Sequence, residues 1–321
     1  NIANIGYFDI FAKNIVTGSV DLVRDTVFNA NVKWTSSNVG IISNDGVIEK
    51  LPDNHEVVEM TLTLTITKGK DVVTRSATKK FIVTCPDSRN YAKGKTTKSS
   101  VAEIPGYGKT YLTDGKYDKS YGTANANRKP EIIIDLGDKE YFNTLFVNED
   151  FANYDKSLKS YKVSYSNDGE TWTVIKEGTI NGIESALINF DTVYARYVSF
   201  TATECENKEL YINEIEAYLF VDSAELVQIE IESLDFTVES SVTGNINLPK
   251  FGRFGTPLVW QSSHPGIISS TGVVTRPDVD TTVTLTVIAM SGNEQCSKLY
   301  AAFVPAKTAA GGTLVGGGSG G

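Results

Sequence analysis

Two histidines, three cysteines and a supply of carboxylates are the residues of this chain that could do covalent or acid–base work. His55 stands in the loop before the run Met60–Thr67, and His264 follows Ser262-Ser263. A Ser-His-Asp arrangement has no support, and neither GxSxG nor HExxH occurs. Cys85, Cys205 and Cys296 lie far apart with no CxxC, which indicates neither a zinc knuckle nor a dense disulfide framework, and the odd count leaves at least one free thiol. Glycoside cleavage needs two carboxylates facing each other across a cleft. Acids are plentiful here, but small β-sandwich modules rarely form deep clefts, so no residue is assigned a catalytic role. What remains is recognition chemistry, carried by loops that mix Tyr with Asn, Arg and carboxylates.

The bulk numbers agree with a binding protein. At 321 residues, 40% hydrophobic and 10% aromatic, the chain is long enough for two or three domains with real cores. A net charge of -9 argues against nucleic acid or an anionic membrane surface, because both need clustered Lys and Arg. No apolar run approaches the roughly 18–20 residues of a membrane helix. The chain opens on Asn1 with no Met and no signal peptide, so it is expected to be a piece of a longer, processed protein.

An internal repeat organises the chain. Residues 16–48 and 242–274 align without a gap at a constant offset of 226. Val16-Thr17-Gly18 matches Val242-Thr243-Gly244, Trp34 matches Trp260, and Gly40-Ile41-Ile42-Ser43 matches Gly266-Ile267-Ile268-Ser269. The two histidines are not shared: Asn38 aligns with His264. Met60–Thr67 alternates strictly, placing Leu62, Leu64 and Ile66 on one face and threonines on the other. Thr282–Ile288 repeats the pattern. Lys68-Gly69-Lys70-Asp71 is a hairpin turn. About seven short strands around one Trp predict an immunoglobulin-like sandwich in each copy. The pattern VxWxSSxxxIISxxGxV resembles the bacterial immunoglobulin-like domains that serve as spacers beside glycosidases and binding modules. The first copy departs at Leu22-Val23, where the second has Leu248-Pro249.

The segment between the copies has a different texture, richer in Tyr, Asn, Asp and Lys. Pro130–Gly137 reads as a buried strand ending in a turn, Leu158–Tyr165 alternates, and Asp168-Gly169 is a tight turn ahead of Trp172. In order, Asn90-Tyr91-Ala92, Leu112-Thr113-Asp114-Gly115, IIIDLG, SNDGETW, ARYVSF and INEIEAY resemble a coagulation factor V/VIII type C, or discoidin-like, domain, similar to bacterial family 32 carbohydrate-binding modules. The resemblance implies an eight-stranded jelly-roll with ligand loops at one end. The expected architecture is all-β: a central discoidin-like sandwich at 88–221 between immunoglobulin-like sandwiches at 1–87 and 222–306, with a Gly-rich linker or tail at 307–321.

The same resemblance implies a structural calcium ion. It places side-chain ligands at Asp114, Asp118 and Glu216, with Glu214 the alternative carboxylate, and oxygens from Leu112 and from Thr123 or Ser120. Hard oxygens in close succession suit calcium. Ligand contacts are expected from Tyr107, from Asn125, Asn127 and Arg128, from Glu149, Asp150, Asn153 and Tyr154, and from the loop Thr203–Tyr211. An aromatic face would stack on pyranose C–H groups while amides, carboxylates and Arg meet the hydroxyls. The domain has no His, so the His/Arg pair common in galactose-binding members is absent; Arg196 is read as structural, and Tyr121, where many members have Trp, as core. The expected function is non-catalytic glycan or polysaccharide binding that targets an appended glycoside hydrolase. The alternative is a structural or adhesion fragment. Either would be a secreted or cell-surface bacterial protein, a monomer within a larger chain, with no nucleic acid and no membrane insertion.

Overall fold

A computed structural model of the chain describes residues 15–16, 20, 22, 31–50, 55–68, 70–84, 89–150, 158–180 and 186–307. Cys85, Asn153, Tyr154 and the tail beyond Lys307 lie outside the described residues. The chain divides into two units, Asn1–Phe220 and Val221–Gly321.

In the first unit, β1 (Ile15–Val16), β2 (Asn31–Ser36), β3 (His55–Lys68) and β4 (Asp71–Thr84) form one sheet in the order β1-β4-β3-β2. The predicted hairpin closes where Lys68 pairs with Asp71. Trp34, Ile42, Met60 and Phe81 are buried together. The threonine side of β3 meets hydroxyls on β4: Thr63 bonds Ser76 and Thr65 bonds Thr74.

Next come β5 (Thr96–Ser99), β6 (Tyr121–Thr123), β7 (Glu131–Glu149), β8 (Leu158–Ser166), β9 (Thr173–Thr179), β10 (Ala186–Cys205) and β11 (Leu210–Tyr218). They form one seven-stranded sheet. β7 and β10 are long because each serves both layers of a sandwich. Glu131–Asp135 runs beside Tyr197–Thr201 of β10 and, on its other side, beside β5. Beyond the positive-φ Gly137, Thr144–Val147 pairs with Ala186–Asn189 of β10 and also with β11. Register slips between Asn189 and Val193 and between Ala195 and Tyr197 let β10 make the same bend. Ile132, Ile134, Val198 and Phe200 from one layer thus face Leu145, Val147, Ile188 and Ile215 from the other in one core. Tyr121 is fully buried there, as read from the sequence, and Arg196 forms a fork on Asp135 at 2.8 and 2.9 Å.

The second unit holds a feature that the strand patterns did not announce. α1 (Ser223–Glu232) follows Asp222, whose side chain caps it by accepting from Glu225 N–H at 2.8 Å. Val227 and Ile231, one turn apart, pack under β12 (Leu258–Ser262), β13 (Thr281–Ser291) and β14 (Glu294–Val304). Among the described residues of this unit these three strands form the sheet, in the order β12-β13-β14. Elsewhere the expected strands reduce to single bridges, Phe251 with Pro257 and Ile268 with Val274. The helix supplies apolar surface that a full second sheet would otherwise give.

Candidate functional site

The loop end of the seven-stranded sheet is assembled by its shortest strand. β6 pairs with the start of β11, Thr123 opposite Leu210 and Tyr121 opposite Ile212. That pairing draws the segment after β6 against the loop after β10, where Ala126 N–H donates to Lys208 O at 2.8 Å. Lys129 closes the short 3-10 turn Ala126–Arg128 in the left-handed region, φ 55°, its N–H bonded to Ala126 O. Between the two loops lies a cavity of about 410 Å³, lined by Ala126, Asn127 and Thr203–Lys208. Asn127 and Arg128 are exposed, and Asn125 is half-buried. Lys159 pairs with Glu206 on the rim at 2.7 Å.

An aromatic pair stands beside this end. Tyr107 and Tyr211 meet edge to face, with centroids 5.1 Å apart. Both press on Gly122, where a Cβ would stand 2.8 Å from the Tyr211 ring and 2.9 Å from Tyr107 Cβ. Asp150 N–H donates to Tyr211 O, and the Asp150 carboxylate accepts from Ser120 Oγ at 2.6 Å. Tyr107, Asn125, Asn127, Arg128 and Asp150 thus come from distant stretches of sequence to the ends of β6 and β11. Tyr211, the last residue of the expected loop Thr203–Tyr211, joins them through its ring contact with Tyr107.

Glu149 departs from the expectation of a ligand contact. Its side chain is buried at 3% exposure, and Oε2 accepts from Leu158 N–H at 2.9 Å. Burial pushes its carboxyl up to about 8, against the pull of that bond. The alternation along β7 carries it inward while Asp150, one residue on, leaves the strand. Cys205 belongs to the loop Thr203–Tyr211 that the sequence offers for ligand contact. It lines the wall, and burial followed by the nearby Glu149 pushes its thiol up to about 12, which makes it a poor nucleophile.

The turn after the 3-10 helix Lys109–Thr113 holds the candidate cation ligands, with two corrections to the expected set. The carboxylate against the turn is Glu214: Oε1 accepts from Gly115 N–H at 3.0 Å, and Oε2 is buried with no hydrogen-bond partner among the described residues. Burial pushes Glu214 up to about 8, with Glu216 and Asp114 adding to the rise. Glu216, the residue first expected there, accepts from Tyr117 Oη at 2.7 Å, and Tyr218 also bonds it. Burial and that carboxylate raise both phenols well above their ordinary range. Thr123 is the other correction. It lies opposite Leu210, four residues from Glu214 along β11, roughly 13 Å at strand rise, and its hydroxyl donates to Ala102 O. Leu112 is fully buried, so only its carbonyl can serve a cation, and Asp118 is exposed. Among the described residues no three His, Cys, Asp or Glu side chains are grouped to hold a metal. The donor set that fits is two carboxylates, Asp114 and Glu214, with carbonyls of the turn.

Two family models match the chain. The atrophied bacterial Ig domain covers residues 3–87 and 222–307, more than half of the whole. The chain belongs to the atrophied bacterial Ig domain family. The reduced sheet of its second copy, three strands and a helix, suits the word atrophied. Between its two atrophied Ig domains the F5/8 type C domain matches residues 95–216. No curated protein sequence matches the chain. Among solved structures, a Ruminococcus gnavus GH29 fucosidase in complex with fucose is 28% identical at a TM-score of 0.37, over 42% of this chain and 27% of its own length. A chitosan-binding module of a Paenibacillus chitosanase/glucanase is 26% identical at 0.37, over 41% of this chain and 98% of the module. The family 32 module of Clostridium perfringens NanJ, in complex with galactose, is 16% identical at 0.37 over 41% of this chain. The chain spans only about a quarter of the fucosidase's length.

Proposed function

We propose that the F5/8 type C domain binds a glycan at its loop end and that the flanking atrophied Ig domains space it within a larger extracellular bacterial protein carrying a glycoside hydrolase. The observation that carries this reading is the cavity between Asn127 and Thr203–Lys208, walled by amide, hydroxyl and charged side chains, at the end of the sheet where the Tyr107–Tyr211 pair packs on β6. Such a wall can exchange hydrogen bonds with several hydroxyls at once, and an aromatic edge nearby can shield the C–H side of a sugar. Burial holds the Cys205 thiol of the wall protonated, which suits it to a binding surface and not to a nucleophile. Arg128, Asp150, Asn153 and Tyr154 are carried as candidates from the sequence. Calcium, held by Asp114, Glu214 and the carbonyls of the turn, would fix the Gly115 turn against β11 and take no part in chemistry. A glycan array probed with the full chain, and with Asn127→Ala and Tyr107→Ala, tests the reading. Binding to a defined glycan class, weakened tenfold or more by either substitution, is the expected result. An array with no bound glycan sinks it.

A second reading, contact with protein, is favoured by one feature of the second Ig domain. The outer face of its sheet carries Val259, Leu299 and Phe303 exposed, with Thr282, Thr284, Thr286, Ile288, Ser297 and Ala301 between them and no charged residue among these. An empty array would leave that reading standing.

A further inference from the structure

Among the described residues, Glu149 is the one expected ligand residue that the fold turns inward, and its surroundings give it another task. It ends β7. The residue it holds, Leu158, begins β8, so the Oε2 bond to Leu158 N–H closes the base of the chain between them. Leu158 is itself buried and pairs with Cys205 on β10, and Cys205 is part of the cavity wall. The cavity is thus one strand pair away from the carboxyl. The other oxygen, Oε1, is buried with no hydrogen-bond partner among the described residues. Facing the carboxyl are the Cys205 thiol from β10, with the exposed Glu204 beside it, the backbone of Leu158 from β8, and apolar Ile212 opposite on β11. Lys159, next to Leu158, is spent on Glu206 at the surface. Among the described residues of these strands, no ion pair reaches Glu149.

We propose that Glu149 is a positioning residue for the glycan site: as a neutral acid it clasps the end of β7 to the start of β8 behind the Cys205 wall, and its ionisation loosens that wall. The wall holds at neutral pH and gives way in alkaline solution, and bound glycan leaves with it. The last clause rests on the glycan reading above; the clasp does not. The physical reason is the lone Oε1. A buried carboxylate with one donor and no counter-ion is costly, and it must either keep its proton or admit water. Burial raises the group from 4.5 to about 8. Between those two values the folded chain keeps a proton that the unfolded chain has released. The stabilisation is therefore complete below about 4.5 and is lost as pH rises through about 8.

The test uses the full chain and needs no ligand for its first two readings. Carboxyl 13C NMR should give Glu149 a midpoint near 8, and a midpoint in the ordinary glutamate range overturns the proposal. Thermal unfolding from pH 5.5 to 9.5 should show the wild type losing stability relative to Glu149→Gln, which carries a permanently neutral side chain. Parallel profiles overturn it. If Glu149→Gln does not fold, the wild-type titration still decides. Once a glycan is known, its affinity should fall between pH 7 and 9 in the wild type and hold in the variant. Because the first two readings use no glycan, an empty array would defeat the binding proposal without touching the clasp.

Discussion

The backbone N–H of Gly115 donates to a carboxylate oxygen of Glu214 at 3.0 Å, joining positions 99 residues apart in sequence. The bond fixes the turn to β11 from one side only, since Glu214 Oε2 has no hydrogen-bond partner among the described residues. A divalent cation there would satisfy that oxygen. An ion that binds only the folded chain at a hundredfold over its Kd stabilises by about 2.7 kcal/mol. Added calcium is therefore expected to raise the Tm of the F5/8 type C transition by several degrees and EDTA to reverse it, as read by calorimetry. Glu214→Gln should abolish the response. Glu216→Gln should leave it in place, because Glu216 is engaged by Tyr117 and Tyr218. A melting temperature indifferent to calcium and EDTA removes the ion from this site.

Gly122 is where the Tyr107–Tyr211 pair meets the backbone. A methyl group at this position would enter both side chains, at 2.8–2.9 Å. Neither can retreat easily, since Tyr211 is only 8% exposed and its backbone carbonyl is held by Asp150 N–H. Gly122→Ala is expected to cost about 1–3 kcal/mol, the usual range for overpacking. Denaturant unfolding would show this as a lower midpoint in the transition of this domain alone. Equal midpoints would mean that the rings move aside.

The sequence already held the repeat, because an unbroken offset keeps every core position in phase. Trp34 and Trp260 are each 6% exposed, and Ile42 and Ile268 are each fully buried. The turns before the isoleucines match as well: Ile42 N–H bonds Asn38 O, and Ile268 N–H bonds His264 O. That equivalence also explains why His264 needs no counterpart, for its backbone does the shared work. The choice between Glu214 and Glu216 was not legible. All nine residues of β11 are buried, so alternation does not separate its two faces. Glu149 was misread for a related reason. Its neighbour Asp150 has the same chemistry, and where the strand ends depends on Leu158, a partner nine residues away. The helix α1 was hidden by its β-branched residues, and its start depends on the Asp222 cap.

Glu230, on α1, is a second buried carboxylate with a defined duty. It is fully buried and accepts from Phe254 N–H at 2.9 Å and Thr256 N–H at 3.1 Å, holding the loop between Phe251 and Pro257 against the helix. Removing it strands two backbone donors, so Glu230→Ala is expected to destabilise the second Ig domain by about 2–4 kcal/mol. Glu230→Gln keeps one acceptor and should cost less. Urea unfolding followed by Trp260 fluorescence, in a background lacking the other two tryptophans, ranks the two. An alanine variant as stable as the wild type would mean that the loop finds water for its donors.

Trp260 offers the closest comparison between the two Ig copies. Its indole N–H donates to Pro249 O at 2.8 Å, and its ring packs edge to face on Phe236, centroids 4.8 Å apart, with Tyr300 close by. Position 249 is where the first copy, with Leu22-Val23, departs from Leu248-Pro249. The acceptor is a backbone carbonyl, which valine supplies as well as proline, so the departure need not cost the bond. Two substitutions separate the contributions. Trp260→Phe loses the donor and part of the ring volume and is expected to cost about 2–4 kcal/mol. Pro249→Val keeps the carbonyl and should cost well under half of that, chiefly through a freer unfolded chain. Chemical denaturation of the two variants provides the measurement. If Pro249→Val is as damaging as Trp260→Phe, the proline ring itself, and not its carbonyl, positions the tryptophan.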